Sequence, residues 1–140
     1  MIFLELLKLL SKSKSQPLSS FIYDKKYTDS EGKRMQDIMD FTMQNYYKQI
    51  SLDDIAQVSV MTKNAFCKYF KRRTNKTYFR FLTELRIENA CKLLVSNNSL
   101  SIADIADASG FNNISNFNRQ FKSLKQTSPS EYKNNSKLKL

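Results

Sequence analysis

Ser115, Asn118, Arg119 and Lys122 stand at i, i+3, i+4 and i+7, with Ile114 beside them, in the stretch GFNNISNFNRQFK. On a helix that spacing makes one face, and it sets Phe117 and Phe121 on another. Lys63, Asn64, Cys67, Lys68 and Lys71 form a similar set about fifty residues earlier, opposed by Phe66 and Phe70. An asparagine amide can pair bidentately with adenine, an arginine fork with guanine, and an aliphatic group can touch the thymine methyl. Lysines near helix ends suit phosphates. The chemistry on offer is non-covalent recognition of base edges in duplex nucleic acid.

Chemistry of other kinds is hard to build from these residues. The chain has no histidine, and its two cysteines, Cys67 and Cys91, form no CxxC pair. A zinc site and the usual general base are therefore missing from the composition. There is no nucleophile–base set and no glycine-rich phosphate loop, since only two glycines occur. The expectation is a protein that is not an enzyme and needs no cofactor or metal, with both cysteines as small interior or boundary residues of helices.

The net charge of +10 and pI of about 9.6 favour an anionic partner. The charge is sorted by segment. Residues 60–83 hold seven Lys or Arg and no acid, and residues 108–130 hold Arg119, Lys122 and Lys125 and again no acid. The opening run MIFLELLKLLSKSK is broken by Glu5 and Lys8, lacks a cleavage site and is too short to cross a bilayer. Ile2, Leu6, Leu9 and Leu10 instead make one face of a short amphipathic helix. No membrane partner is expected, and a cytoplasmic location is.

The elements that must position these side chains are helical. Apolar content is 41%, and Gly and Pro total four residues, too few breakers for a sandwich or barrel. After a polar linker at 15–31, Met35, Ile38, Met39, Thr42 and Tyr46 mark a helix over 33–48. Ser51–Asp54 is an N-cap signature for a short helix over 52–58. Thr62 caps the next, and Asn75 sits where its end needs positive φ. Thr77 caps the longest helix, 78–97, with an apolar stripe of Leu82, Leu85, Leu93 and Leu94 around Ala90.

The pattern then recurs. Ser101-Ile-Ala-Asp104 repeats the Ser51 cap, and Ile102, Ile105 and Ala106 match Leu52, Ile55 and Ala56 at an offset of fifty. Ser109-Gly110-Phe111 matches Ser59-Val60-Met61. After one inserted residue, Phe117, Arg119, Phe121 and Lys122 match Phe66, Lys68, Phe70 and Lys71. Ser128-Pro-Ser-Glu131 is a capping box for a last helix carrying Tyr132. Each copy is a short capped helix, a tight turn, and a helix with one apolar and one polar-basic face, which is the helix-turn-helix pattern. Twenty residues of connecting helix span roughly 30 Å, close to the roughly 34 Å of one DNA turn. A single chain could then present two recognition helices to successive major grooves. Asn112 and Asn113 fall where they cap the second of these helices as readily as they contact DNA. Asn116 faces sideways, and the four phenylalanines read as core.

Residues 34–134 resemble the DNA-binding domain of the AraC/XylS family of bacterial transcription regulators. The resemblance is carried by SLDDIA, FCKYFKRRT and RIENACKLL, then SIADIADASGF, FNRQFK and SPSEYK. It implies an all-α, homeodomain-like fold: two helix-turn-helix subdomains joined by a long linker helix, here behind a short N-terminal amphipathic helix. It implies sequence-specific binding of double-stranded promoter DNA and recruitment or blocking of RNA polymerase. By position, Asn64, Cys67, Lys68, Ile114, Ser115, Asn118 and Arg119 would read bases, with Lys63 and Asn113 at the helix starts. Lys71, Lys122 and Arg86 would hold the DNA backbone.

The implied organisation is an N-terminal helix and linker over 1–32, a DNA-binding domain over 33–134 and a basic tail over 135–140. Within the domain, 33–76 is the first unit, 77–98 the linker helix and 99–134 the second unit. Most such regulators carry a cupin-like sensor domain ahead of this one. Residues 1–32 resemble the helical tail of such a domain, so a fragment or a short member is expected, with residues 1–14 as a site of self-association or sensor contact. Three departures carry expectations. Val60 replaces a turn glycine or asparagine, which predicts a distorted first turn and a better-formed second one. Asn75 and Gln126 replace the two glycines that follow the recognition helices, and Gln126 weakens the expected helix end. The competing reading is a protein-interaction module using the N-terminal apolar helix and a basic face, with only non-specific DNA binding.

Overall fold

The computed structural model describes residues 29–96 and 99–138. The amphipathic helix expected within 1–14 and most of the 15–31 linker lie outside the described residues, as does the end of the basic tail. Among the described residues there are seven helices and no strand: α1 (Asp29–Asn45), α2 (Leu52–Ser59), α3 (Lys63–Thr74), α4 (Tyr78–Val95), α5 (Ile102–Ala108), α6 (Ile114–Lys125) and α7 (Pro129–Leu138). No helix among them is long and apolar enough to cross a membrane.

The chain forms two compact units. Among the described residues, one comprises those up to Asn45 together with Ile50–Phe81; the other comprises Tyr46–Gln49 and those from Leu82 onward. The boundary falls inside α4, which therefore supplies side chains to both cores. This explains why α4 has no narrow apolar stripe. Tyr78, Phe81, Leu82, Leu85, Ile87, Ala90, Cys91 and Leu94 are all buried, while Leu93, expected in the stripe, is only half-buried.

In the first unit Met35, Ile38 and Met39 of α1 are buried together with Phe66 and Phe70. Phe66 and Phe70 lie 5.4 and 5.3 Å, centroid to centroid, from Tyr78, at edge-on angles that favour ring pairs. The Tyr78 hydroxyl is 2.6 Å from Thr42 Oγ1, so the polar end of each is satisfied inside the core. In the second unit Phe111, Phe117, Phe121 and Tyr132 form a similar run at 5.1–5.7 Å, packed with Ile87, Ala90, Leu94 and Ile105.

Helix α1 departs from the sequence expectation at both ends. It begins at Asp29 rather than 33, with the Glu31 carboxylate in its first turn, where an acid suits the helix N-terminus. Arg73 pairs with the Glu31 carboxylate, and the Tyr69 hydroxyl donates to the Glu31 carbonyl, tying this first turn to α3. It ends at Asn45 rather than 48. The carbonyls of Tyr46 and Lys48 turn instead to Arg86, whose Nε and Nη2 donate to them at 2.8 and 2.7 Å.

Candidate nucleic-acid interface

Each recognition helix is placed by a capped short helix and a turn. Ser51 Oγ accepts the Asp54 N–H at 3.0 Å while Asp54 Oδ2 accepts the Ser51 N–H at 2.9 Å. Ser101 and Asp104 form the same reciprocal box at 3.0 and 3.2 Å. The turns that follow also match. Val60 N–H donates to Gln57 O and Met61 N–H to Ala56 O, both at 3.0 Å; Gly110 N–H donates to Asp107 O at 3.1 Å and Phe111 N–H to Ala106 O at 3.0 Å. These paired bonds close the helix end with one left-handed residue. Val60 takes that conformation at φ 57° and Gly110 at φ 100°.

The first turn is therefore not distorted, contrary to the expectation from its β-branched residue. Val60 is 82% exposed, so the local cost of the left-handed backbone is not compounded by a clash with packed neighbours. The helix ends behave likewise. Asn75 and Gln126 adopt φ 65° and 64° with ψ 19°, and their N–H groups donate to Lys71 O and Lys122 O at 2.8 Å. Gln126 ends α6 cleanly despite the absent glycine.

Packing fixes which face of each recognition helix is left over. Ile55, Ala56 and Ser59 in the first unit, and Ile105, Ala106 and Ser109 in the second, are all buried under α3 and α6 respectively. So are Phe66 and Phe70, and Phe117 and Phe121, each at 0% exposure. The remaining face of α3 exposes Lys63, Asn64, Cys67, Lys68 and Lys71. The remaining face of α6 exposes Ile114, Ser115, Asn118, Arg119 and Lys122. Each set thus lies together on one accessible helix face. Cys67 is exposed rather than interior, unlike Cys91, which is buried.

The ends of the two helices carry the charge. Neither has an acid in its first turn, and the last turns hold Lys71, Arg72 and Arg73, and Lys122 and Lys125. Cations there also suit the helix dipole. One cation of each helix turns inward: Arg73 to Glu31, and Lys125 to Glu88 at 2.5 Å. Lys63, at the start of α3, pairs with Asp53 of α2 at 3.3 Å in an exposed bridge.

Two predicted residues have structural tasks. Asn113 caps α6, its Oδ1 accepting the Asn116 N–H at 2.9 Å. Arg86, expected on the DNA backbone, clamps the chain's own carbonyls at Tyr46 and Lys48. Its Nε would stand 2.6 Å from a Cβ added at Gly110, so the glycine makes room for it. Asn116 was not among the candidates, yet its Oδ1 accepts Arg119 Nη2 at 2.6 Å and Gln120 Nε2 at 3.5 Å. The signal was available in the i, i+3 spacing of Asn116 and Arg119.

A sequence profile described as a helix-turn-helix domain, of the AraC type, matches residues 55–135. The transcriptional activator AarP of Providencia stuartii is 31% identical over 111 residues, covering 79% of this chain and 82% of AarP. The chain belongs to the AraC/XylS family. The family's DNA-binding domain, a DNA-binding module of transcription regulators, accounts for the described helices. YdeC of Bacillus subtilis, a helix-turn-helix-type transcriptional regulator that is itself uncharacterized, is 30% identical over 71% of this chain but 34% of its own length. The chain spans about a third to three-fifths of the length of several curated relatives that it matches. The AraC-type fold is shared with the DNA-binding domain of AdpA, solved in complex with a target DNA. That likeness has a TM-score of 0.70 at 17% identity, over 76% of this chain and 95% of the AdpA domain.

Proposed function

We propose that this AraC/XylS family member binds double-stranded promoter DNA sequence-specifically, laying α3 and α6 in two adjacent major grooves, and so regulates transcription. The observation that carries the proposal is the duplicated grip. In each unit buried phenylalanines hold the inner face of a helix, and the outer face is left with amide, hydroxyl and cationic groups at one spacing. Asn64, Cys67 and Lys68 of α3 and Ile114, Ser115, Asn118 and Arg119 of α6 are the base-reading residues in this proposal. Lys71 and Lys122 are its phosphate contacts. Asn113 acts through the helix start. The AdpA domain's complex with a target DNA supports the same use of the fold.

Contact with RNA polymerase, a cytoplasmic location, and self-association or sensor contact through residues 1–14 belong to the same proposal. Gel shift on genomic fragments across a salt series tests it. The expected result is a steep salt slope with a preference that survives at high salt. Hydroxyl-radical footprinting on a selected site should show two protected patches one DNA turn apart. Binding without preference at any salt would overturn sequence-specific reading in favour of a general basic surface.

A further inference from the structure

We infer that Asn116 is a positioning residue that presets Arg119 to read a guanine, which makes the second unit's specificity depend on a residue that need not touch DNA. The inference rests on the DNA-reading role of α6 proposed above. Arg119 is exposed, and a free arginine side chain loses much rotamer entropy when it docks. Here its Nη2 donates to Asn116 Oδ1 at 2.6 Å. Asn116 is itself a fixed base for that bond. It is only partly exposed, its N–H is held by Asn113 Oδ1 at 2.9 Å, and its Oδ1 also accepts from Gln120 at 3.5 Å.

A guanidinium presents five N–H donors in a rigid fork. With one Nη2 proton committed to Asn116, donors remain for a bidentate pair with guanine O6 and N7, the commonest base contact of arginine. A preset donor spends less ordering free energy on binding and discriminates better by geometry. The first unit has no such device. Ala65 stands where the second unit has Asn116, and Lys68 where it has Arg119. An alanine accepts nothing, and a lysine ammonium has no fork.

Selection of binding sites from randomised duplexes, with the full chain and its Asn116→Ala, Asn116→Asp and Arg119→Ala variants, tests the inference. Each variant is checked first by thermal unfolding; Asn116→Ala keeps its own backbone N–H and gains helix propensity. Wild type is expected to select a guanine at one position of one half-site. Arg119→Ala should level that position, and Asn116→Ala should weaken it by roughly 3–10-fold, the factor for ordering one long side chain. Asn116→Asp, which restores the acceptor, should recover the guanine preference while binding all DNA less tightly. An unchanged guanine preference in Asn116→Ala would overturn the positioning role. Uniform loss in Arg119→Ala, with every base preference kept, would overturn guanine reading while leaving DNA binding intact. Wild type with no preference anywhere would instead defeat the underlying proposal.

Discussion

The Lys125 ammonium lies 2.5 Å from Glu88 Oε2, and the two side chains are 12% and 8% exposed. A lysine that adds to the basic segment of the sequence is thus spent inside the second unit, fastening α6 to α4. Removing one partner of a buried pair strands the other charge, which costs about 3–5 kcal/mol. Glu88→Ala should therefore lower the urea midpoint by the equivalent of about 3 kcal/mol. The double variant Glu88→Leu/Lys125→Met should recover most of it. A single variant as stable as wild type would show that the pair is not closed in solution.

The two turns predict opposite outcomes for opposite exchanges. Val60 holds a left-handed backbone that costs a non-glycine residue about 1 kcal/mol, and its exposed side chain contributes little packing. Val60→Gly should raise stability by about 0.5–1 kcal/mol, after the entropy of a freer unfolded chain is set against it. Gly110→Ala adds a Cβ 2.6 Å from both Arg86 Nε and Tyr46 O at φ 100°. It should destabilise by about 2 kcal/mol or more, through strain and the loosened Arg86 clamp. Thermal unfolding of the two variants reads both signs.

Under the proposed function, Arg86 and Lys122 separate a chain-holding cation from a DNA-holding one. Lys122→Ala should weaken binding on all sequences and reduce the salt slope by about 1. Arg86→Ala should lower the unfolding midpoint yet leave the salt slope unchanged at temperatures where the protein is folded. A slope that falls with Arg86 as well would return it to the DNA backbone.

Under the proposed function, Asp53, 3.3 Å from the Lys63 ammonium, would compete with DNA for it. Asp53→Asn frees the ammonium at the start of α3 and removes a like charge from the phosphate side. DNA affinity at low salt should rise roughly 2–5-fold, in line with the 0.2–1 kcal/mol of an exposed pair. Stability should change little. Fluorescence anisotropy at two salt concentrations is sufficient, since the gain should shrink as salt screens it.

The two thiols should differ sharply. Burial pushes the Cys91 thiol from 9.0 up to about 11, against the opposing effect of Lys125, and burial and the neighbouring Cys91 push Tyr132 up to about 12. An alkylating reagent at neutral pH should modify exposed Cys67 and spare Cys91 until the protein unfolds. Both groups, buried Cys91 and half-buried Tyr132, have folded values above their unfolded ones. Their contribution is therefore complete below about pH 9 and is lost as pH rises toward 11–12. The urea midpoint should fall over that alkaline range, and Cys91→Ser should flatten its lower half.

The caps, the repeat and the buried phenylalanines were legible in the sequence because each is a local rule: a serine three residues before an acid, an apolar pair at i, i+4. The outer faces followed from the same periodicity. What stayed hidden depended on contacts distant in the chain. Nothing near Arg86 announces that residues forty positions earlier offer it two carbonyls. The spread of buried residues around α4 depends on a helix shared between two cores, which no single stripe encodes. Val60 misled because a left-handed backbone is costly rather than forbidden to a β-branched residue.

Under the proposed function, the duplicated phenylalanine grip also bears on how such a regulator would change over time. The phenylalanines that hold α3 and α6 in place are separate from the residues that face outward, and the two copies already differ on every outer position except the lysine pair Lys71 and Lys122. Substitutions on one outward face remove none of the buried phenylalanines that hold the fold. Under the proposed function, promoter choice can then be rewired one half-site at a time, with the unchanged half keeping the protein on its old targets while the new ones are acquired.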